Sequence, residues 1–197
     1  MKKTSIIILI AVVAVVVLWA IGANNKMVSQ EENVTKAWSQ VENVYQRRLD
    51  LIPNLVNTVK GAADYEKSTL EAVIEARAKA SSVQIDANNL TEENVAAFQQ
   101  AQDQLTQAVG RAINLTVERY PELTATQGFR DLQTQLEGTE NRISVERGKF
   151  NEAVQSYNTM IRKFPNSIMA SILGFDKKGY FTASEGADKP VNVEFEF

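Results

Sequence analysis

The sequence predicts an all-α protein: an antiparallel bundle of long helices carrying an N-terminal transmembrane helix and ending in a short irregular tail. Three observations predict it. Apolar residues recur at steps of three and four along most of the 197-residue chain, the pattern of helices with one buried face. Only 9 Gly and 4 Pro interrupt that pattern, too few to punctuate many short strands. A charge-free apolar run, SIIILIAVVAVVVLWAIGA, extends from Ser5 to Ala23.

That run rises about 28 Å as a helix, close to the ~30 Å hydrocarbon core of a bilayer. Trp19 lies near its far end, where an indole favours the lipid–water interface. The run exceeds the about 7–15 residues of a signal-peptide core, so an uncleaved anchor is expected. The small-residue site at Ala20-Ile21-Gly22 leaves cleavage open as the alternative. Lys2 and Lys3 precede the span, and Lys26 alone follows it before Glu31 and Glu32. The positive-inside rule then keeps residues 1–4 cytoplasmic and sends the body outward, into the extracytoplasmic space. Residues 24–33 contain no Pro or Gly, so they are expected to continue the membrane helix as a linker to a bundle domain over 34–164.

In the first bundle helix the stripe is Val34, Trp38, Val41, Tyr45, Ile52, Val56 and Val59. A second helix is expected over Asp64 to Val83, rich in alanine, with Leu70, Val73, Ile74 and Ala80 facing one way. Thr91, followed by Glu92 and Glu93, starts a third helix as its cap. That helix carries Val95, Phe98, Leu105, Val109, Ala112 and Thr116 toward a break at Pro121. The last long helix runs from Phe129 through Leu132, Leu136, Ile143, Phe150, Val154, Tyr157 and Ile161 to Phe164, a coiled-coil-like seam closed by Pro165. No single stripe can bury itself, so the helices must pack on one another. In residues 165–197, a short apolar helix is expected first, capped by Asn166 or Ser167. Turn-rich sequence follows, then VNVEFEF with strand-like alternation and no obvious partner.

Pro53 interrupts YQRRLDLIPNLV. Opening a new helix there would make Ile52 the cap, a poor choice, and the stripe keeps its phase across the proline. One helix bent at Pro53 is therefore expected, with the Leu49 carbonyl freed of its usual donor. At 100° per residue, Arg47, Asp50 and Asn54 fall together, opposite the stripe. They form either an interaction face for a partner or an anion, or an ordinary solvated face. Arg48 falls at the stripe's edge. It either crosses the bundle to Glu140 or Glu146 as a buried ion pair, or carries its head out to water.

Composition removes much chemistry. Cysteine and histidine are absent, and with them thiol nucleophiles, disulfides, histidine bases and the usual zinc sites. Net charge is −3, with no cationic run, which disfavours nucleic acid. No phosphate loop, nucleophile elbow or repeated Glu-x-x-His appears. No catalytic, cofactor or metal residue is therefore assigned, and no enzyme is expected.

Four blocks together resemble the bacterial LemA family: YQRRLDLIPNLVNTVKG from Tyr45, LEAVIEARAKA from Leu70, the stretch from Arg119 to Pro165, and GFDKKGYF from Gly174. The resemblance runs from the anchor to Phe181, and the tail beyond it looks particular to this chain. It implies a membrane helix and a helical bundle. It implies no reaction, because the family's molecular role is not established. Relatives are associated with membrane organisation, including magnetosome membranes, and some are encoded beside membrane proteases of the HtpX type. A scaffold or adaptor touching lipid through residues 5–23, and a protein partner, a second copy or a membrane protease, is the expected function. A sensory, ligand-binding bundle and an accessory factor of a protease are the alternatives. The terminal Val193, Phe195 and Phe197 could be captured by strand addition in a PDZ-type groove, or are simply a frayed end.

Overall fold

A computed structural model describes residues 2–60 and 66–182. Among these residues there are six helices and no strand: α1 (Lys2–Lys60), α2 (Lys67–Ser82), α3 (Glu92–Arg119), α4 (Pro121–Thr124), α5 (Gln127–Arg162) and α6 (Asn166–Leu173). The all-α class is as the periodicity predicts. VNVEFEF, with Val193, Phe195 and Phe197, lies outside the described residues.

α1 is unbroken over 59 residues with Pro53 inside it, a rod of about 88 Å at 1.5 Å per residue. Its apolar N-terminal part is exposed, with Ile7 65% and Leu18 70% accessible among the described residues. The helix becomes part of the core from Ala23 onward, at Met27, Val34, Trp38, Val41 and Tyr45. α5 packs antiparallel along it, α2 and α3 form a hairpin against its far half, and α6 packs against α1 and α5.

Local chemistry sets the helix ends. Thr91 and Thr126 cap α3 and α5, their side chains accepting from the backbone N–H groups of Asn94 and Phe129. Each satisfies one of the orphan donors at a helix start. Pro121 occupies the first turn of α4, where its missing N–H costs nothing. Gly174 ends α6 in the left-handed region at φ 78°, where a glycine carries no Cβ penalty.

Three expectations need correction. α5 stops at Arg162, and Phe164 is 81% exposed rather than part of the seam; the turn at Pro165 swings it off the buried face. α6 is preceded by Pro165 without a side-chain cap, so neither Asn166 nor Ser167 caps it. On α2, Val73 and Ala80 are buried but Ile74 is 52% exposed. One residue is 100° of rotation, which carries Ile74 off the face that α2 packs against α3 and α1.

The core divides in two. The cluster nearer the apolar N-terminal part gathers Met27, Val34, Trp38, Tyr45, Phe98, Phe150, Tyr157 and Phe181. The far cluster gathers Ile52, Leu55, Val59, Val73, Leu105, Val109, Phe129 and Leu132. A polar layer centred on Arg48 lies between them.

Candidate interaction site

Arg48 is 3% exposed. Its Nη1 donates to Glu140 Oε1 at 2.8 Å and to Thr106 Oγ1 at 2.6 Å. Its Nη2 donates to Gln102 Oε1 at 2.5 Å and to the Gln102 carbonyl at 3.2 Å. Its guanidinium also lies over the Tyr45 ring, 4.9 Å from the centroid. One planar fork thus ties α1 to α3 and α5 at a single level, a task that needs the rigid spread of donors in arginine. Glu146 takes no part. It accepts from Lys149 Nζ at 2.7 Å, one turn along α5. The reason is register: Glu146 sits about 9 Å further along the α5 axis than Glu140, beyond the reach of Arg48.

Pro53 frees the Leu49 carbonyl, and Arg77 on α2 fills the vacancy, its Nε donating at 3.0 Å. That carbonyl is therefore engaged within the fold rather than offered to a partner. Arg47, Asp50 and Asn54 are all exposed on the outer side of α1. Asp50 Oδ1 accepts from Gln46 Nε2 at 2.7 Å. The rigid Arg48 layer lies directly behind this face. Beside it, a groove of about 460 Å³ opens between α1 and the α2–α3 connection, lined by residues including Glu42, Tyr45, Gln46, Ile85 and Gln102. Burial pushes the Glu42 carboxyl above its usual range, and burial also raises the Tyr45 phenol.

The largest surprise is the segment after α6. Residues 175–182 form no helix but run back along the bundle as a strap. Three carboxamides grip its backbone. Asn158 donates to the Lys178 carbonyl at 2.8 Å and accepts from the Lys178 N–H at 3.0 Å. Asn151 does the same for Phe181, at 2.9 Å both ways. Gln99 donates to the Thr182 carbonyl at 3.1 Å and accepts from its N–H at 3.0 Å. Each amide offers the donor and acceptor that a neighbouring strand would supply, so a single extended segment can be buried without unpaired backbone. Phe181 then enters the aromatic cluster, stacking 6.1 Å from Trp38 and meeting Phe150 edge-on at 5.4 Å. Lys178 Nζ pairs with Glu31 Oε1 at 2.8 Å, tying the strap to α1. Burial, with the Glu31 and Asp176 carboxylates nearby, pushes the Tyr157 phenol far above its ordinary value.

Gly179 passes so close to the start of α3 that a Cβ there would lie 2.6 Å from Glu92 Cα and 2.8 Å from the Thr91 carbonyl oxygen. Gly179 and Phe181 belong to the GFDKKGYF block, which carried the family resemblance but gave no sign that the segment is buried. Gln102, Thr106, Arg77, Asn151 and Gln99 carried no signal, because a polar residue on a helix looks solvated until its neighbour is known. Among the described residues no group of three or more acidic, histidine or cysteine side chains is placed to hold a metal ion.

An apolar span continuing into a helical bundle defines the class, a membrane-associated helical protein. Residues 37–195 match the sequence profile of the LemA family. The chain belongs to the LemA family. That match extends past Phe181 to residue 195, which corrects the expectation that the resemblance stops at Phe181 and leaves the tail particular to this chain. It is 23% identical to Protein LemA of Metamycoplasma hominis over 165 residues, 84% of this chain and 71% of the relative. It is 33% identical over 84 residues to Magnetosome protein MamQ of Magnetospirillum gryphiswaldense and to Magnetosome protein MamQ 2 of Paramagnetospirillum magneticum. The matched stretch covers 43% of this chain and 30% of each magnetosome protein.

Proposed function

We propose that this protein is a single-pass, inner-membrane scaffold or adaptor that holds a protein-binding bundle at a fixed height on the extracytoplasmic side. The observation that carries the reading is the unbroken α1, in which one helix is both the apolar span and the central rod of the bundle. A flexible linker would let the bundle wander, whereas a continuous helix fixes its distance from lipid. Lys2 and Lys3 before the span support the orientation, by the positive-inside rule. The likeness to magnetosome proteins supports a task at membranes.

Arg47, Asp50 and Asn54 are the face we assign to a protein partner, which includes a second copy or a membrane protease. Its support is its exposure on a stretch of α1 that Arg48 and Arg77 lock from behind. The test places a photocrosslinking amino acid at Arg47 or Asn54 of the full chain in intact membranes, with exposed Val145 on α5 as the comparison position. An adduct of defined mass from positions 47 and 54, absent from 145, is the expected result. No adduct from either position refutes the assignment of this face.

A further inference from the structure

The register of α5 against α1 has a consequence at the lipid end of the bundle. Glu140 is level with Arg48, and Phe150 lies beside Trp38. Continued to the end of α5, the same antiparallel register brings Ile161 level with Met27 and Pro165 level with Ala23. Core membership agrees, since Ala23, Met27, Ile161 and Ala170 share one buried cluster. Ala23 is also the last residue of the apolar span. The corner between α5 and α6 therefore lies where α1 leaves the bilayer.

That corner is the most apolar part of the described bundle surface. Phe164 is 81% exposed, Ile172 71%, Ile168 53% and Leu173 46%. Phe164, Ile168 and Ile172 follow one another at steps of four, and on α6 the last two share a face. Ala170 and Met169 turn the other way, into the bundle. Further from the lipid, Ile74, Val117 and Val145 stand singly, as surface aliphatics ordinarily do. Arg162 and Lys163 precede the corner in sequence and Lys177 follows α6, with Asp176 the only acid between residues 162 and 177. Apolar side chains in a cationic frame are the makeup of a helix that lies in the headgroup boundary.

We propose that α6 and the turn before it form a second membrane contact. They dock on the surface of the bilayer that α1 spans, with Phe164, Ile168 and Ile172 among the acyl chains and Arg162, Lys163 and Lys177 on anionic headgroups. This rests on the anchor reading of residues 5–23. A rod held at one point can tilt, whereas one held by its span and by α6 keeps both its height and its orientation.

The chain contains no cysteine, so a nitroxide can be placed at one site at a time. Ile172→Cys reports α6, Val12→Cys the span, and Val145→Cys the exposed flank of α5. Each full-length variant is reconstituted in vesicles of phosphatidylethanolamine and phosphatidylglycerol. Collision of the label with oxygen, which concentrates in lipid, is then compared with collision with a water-soluble nickel chelate. Labels at 12 and 172 meeting mainly oxygen, with 145 meeting mainly chelate, is the expected result. A label at 172 that behaves like 145 while 12 remains in lipid overturns the second contact and leaves the anchor standing. A label at 12 that meets mainly chelate overturns the anchor and this inference with it. Spin–spin broadening at 172 would assign the patch to a second copy and overturn the lipid contact.

Discussion

Replacing the two partners of the Arg48 layer one at a time should give unequal costs. Arg48 is 3% exposed and Glu140 42%. In Glu140→Leu the guanidinium stays buried without its counter-charge. Losing one partner of a fully buried pair costs about 3–5 kcal/mol; because solvent reaches Glu140, the expected cost is near the bottom of that range, about 3 kcal/mol. In Arg48→Met the carboxylate turns outward to water, and methionine fills the space left by the arginine stem. What remains is chiefly the orphaned Gln102 Oε1, at about 1–2 kcal/mol. The asymmetry is then about 1–2 kcal/mol, or roughly 2–8 °C in melting temperature for a chain of this size. The double variant should be more stable than Glu140→Leu alone, because it no longer holds an unpaired charge. The assay is chemical unfolding of the full chain in lipid nanodiscs, followed by the fluorescence of buried Trp38, with thermal scans in parallel. An Arg48→Met cost equal to or above that of Glu140→Leu, or a double variant less stable than both singles, would refute the reasoning.

Three further outcomes follow from the same geometry. Gly179→Ala puts a methyl against the backbone of Glu92 and Thr91, which cannot retreat as a flexible side chain could. Overpacking of this kind costs about 1–3 kcal/mol, and amide exchange should accelerate at Lys178, Phe181 and Thr182 before the long helices respond. Arg77→Met should cost about 1.5–3 kcal/mol by orphaning the Leu49 carbonyl, and less when combined with Pro53→Ala, which restores an N–H to that carbonyl. A double-mutant cycle measures this coupling. The raised Tyr157 phenol stays protonated in the folded protein where the unfolded chain, with its ordinary value of about 10, ionises. Stability is thus full below about pH 10 and falls by about 1.4 kcal/mol per pH unit above it. Tyr157→Phe removes that slope together with a buried hydroxyl that has no hydrogen-bond partner among the described residues, so its alkaline unfolding midpoint should move upward.

Helices that bury one continuous stripe were legible in the sequence. Trp38, Tyr45 and Ile52 keep phase through Pro53, so the long helix followed from periodicity alone. Arg48 was legible as a candidate because it sits at the stripe's edge, but Glu140 and Glu146 could not be separated without the register of α5 on α1. The strap was not legible. Its burial depends on Asn151, Asn158 and Gln99 from two different helices, and a short irregular run with no regular partner reads locally as a loose tail. Phe164 misled for the opposite reason: it extends the seam by spacing, yet α5 has already ended.

The central claim is that the membrane helix and the bundle are one stiff body. Nitroxides at Leu18→Cys and Asn43→Cys straddle the lipid boundary on α1, and their separation in vesicles can be read by pulsed electron resonance. A continuous helix predicts a single narrow distribution near 38 Å, within about 10 Å for label length, from 25 residues at about 1.5 Å each. A broad distribution, or one centred well below that value, would mean a joint between residues 18 and 43 and would contradict the account.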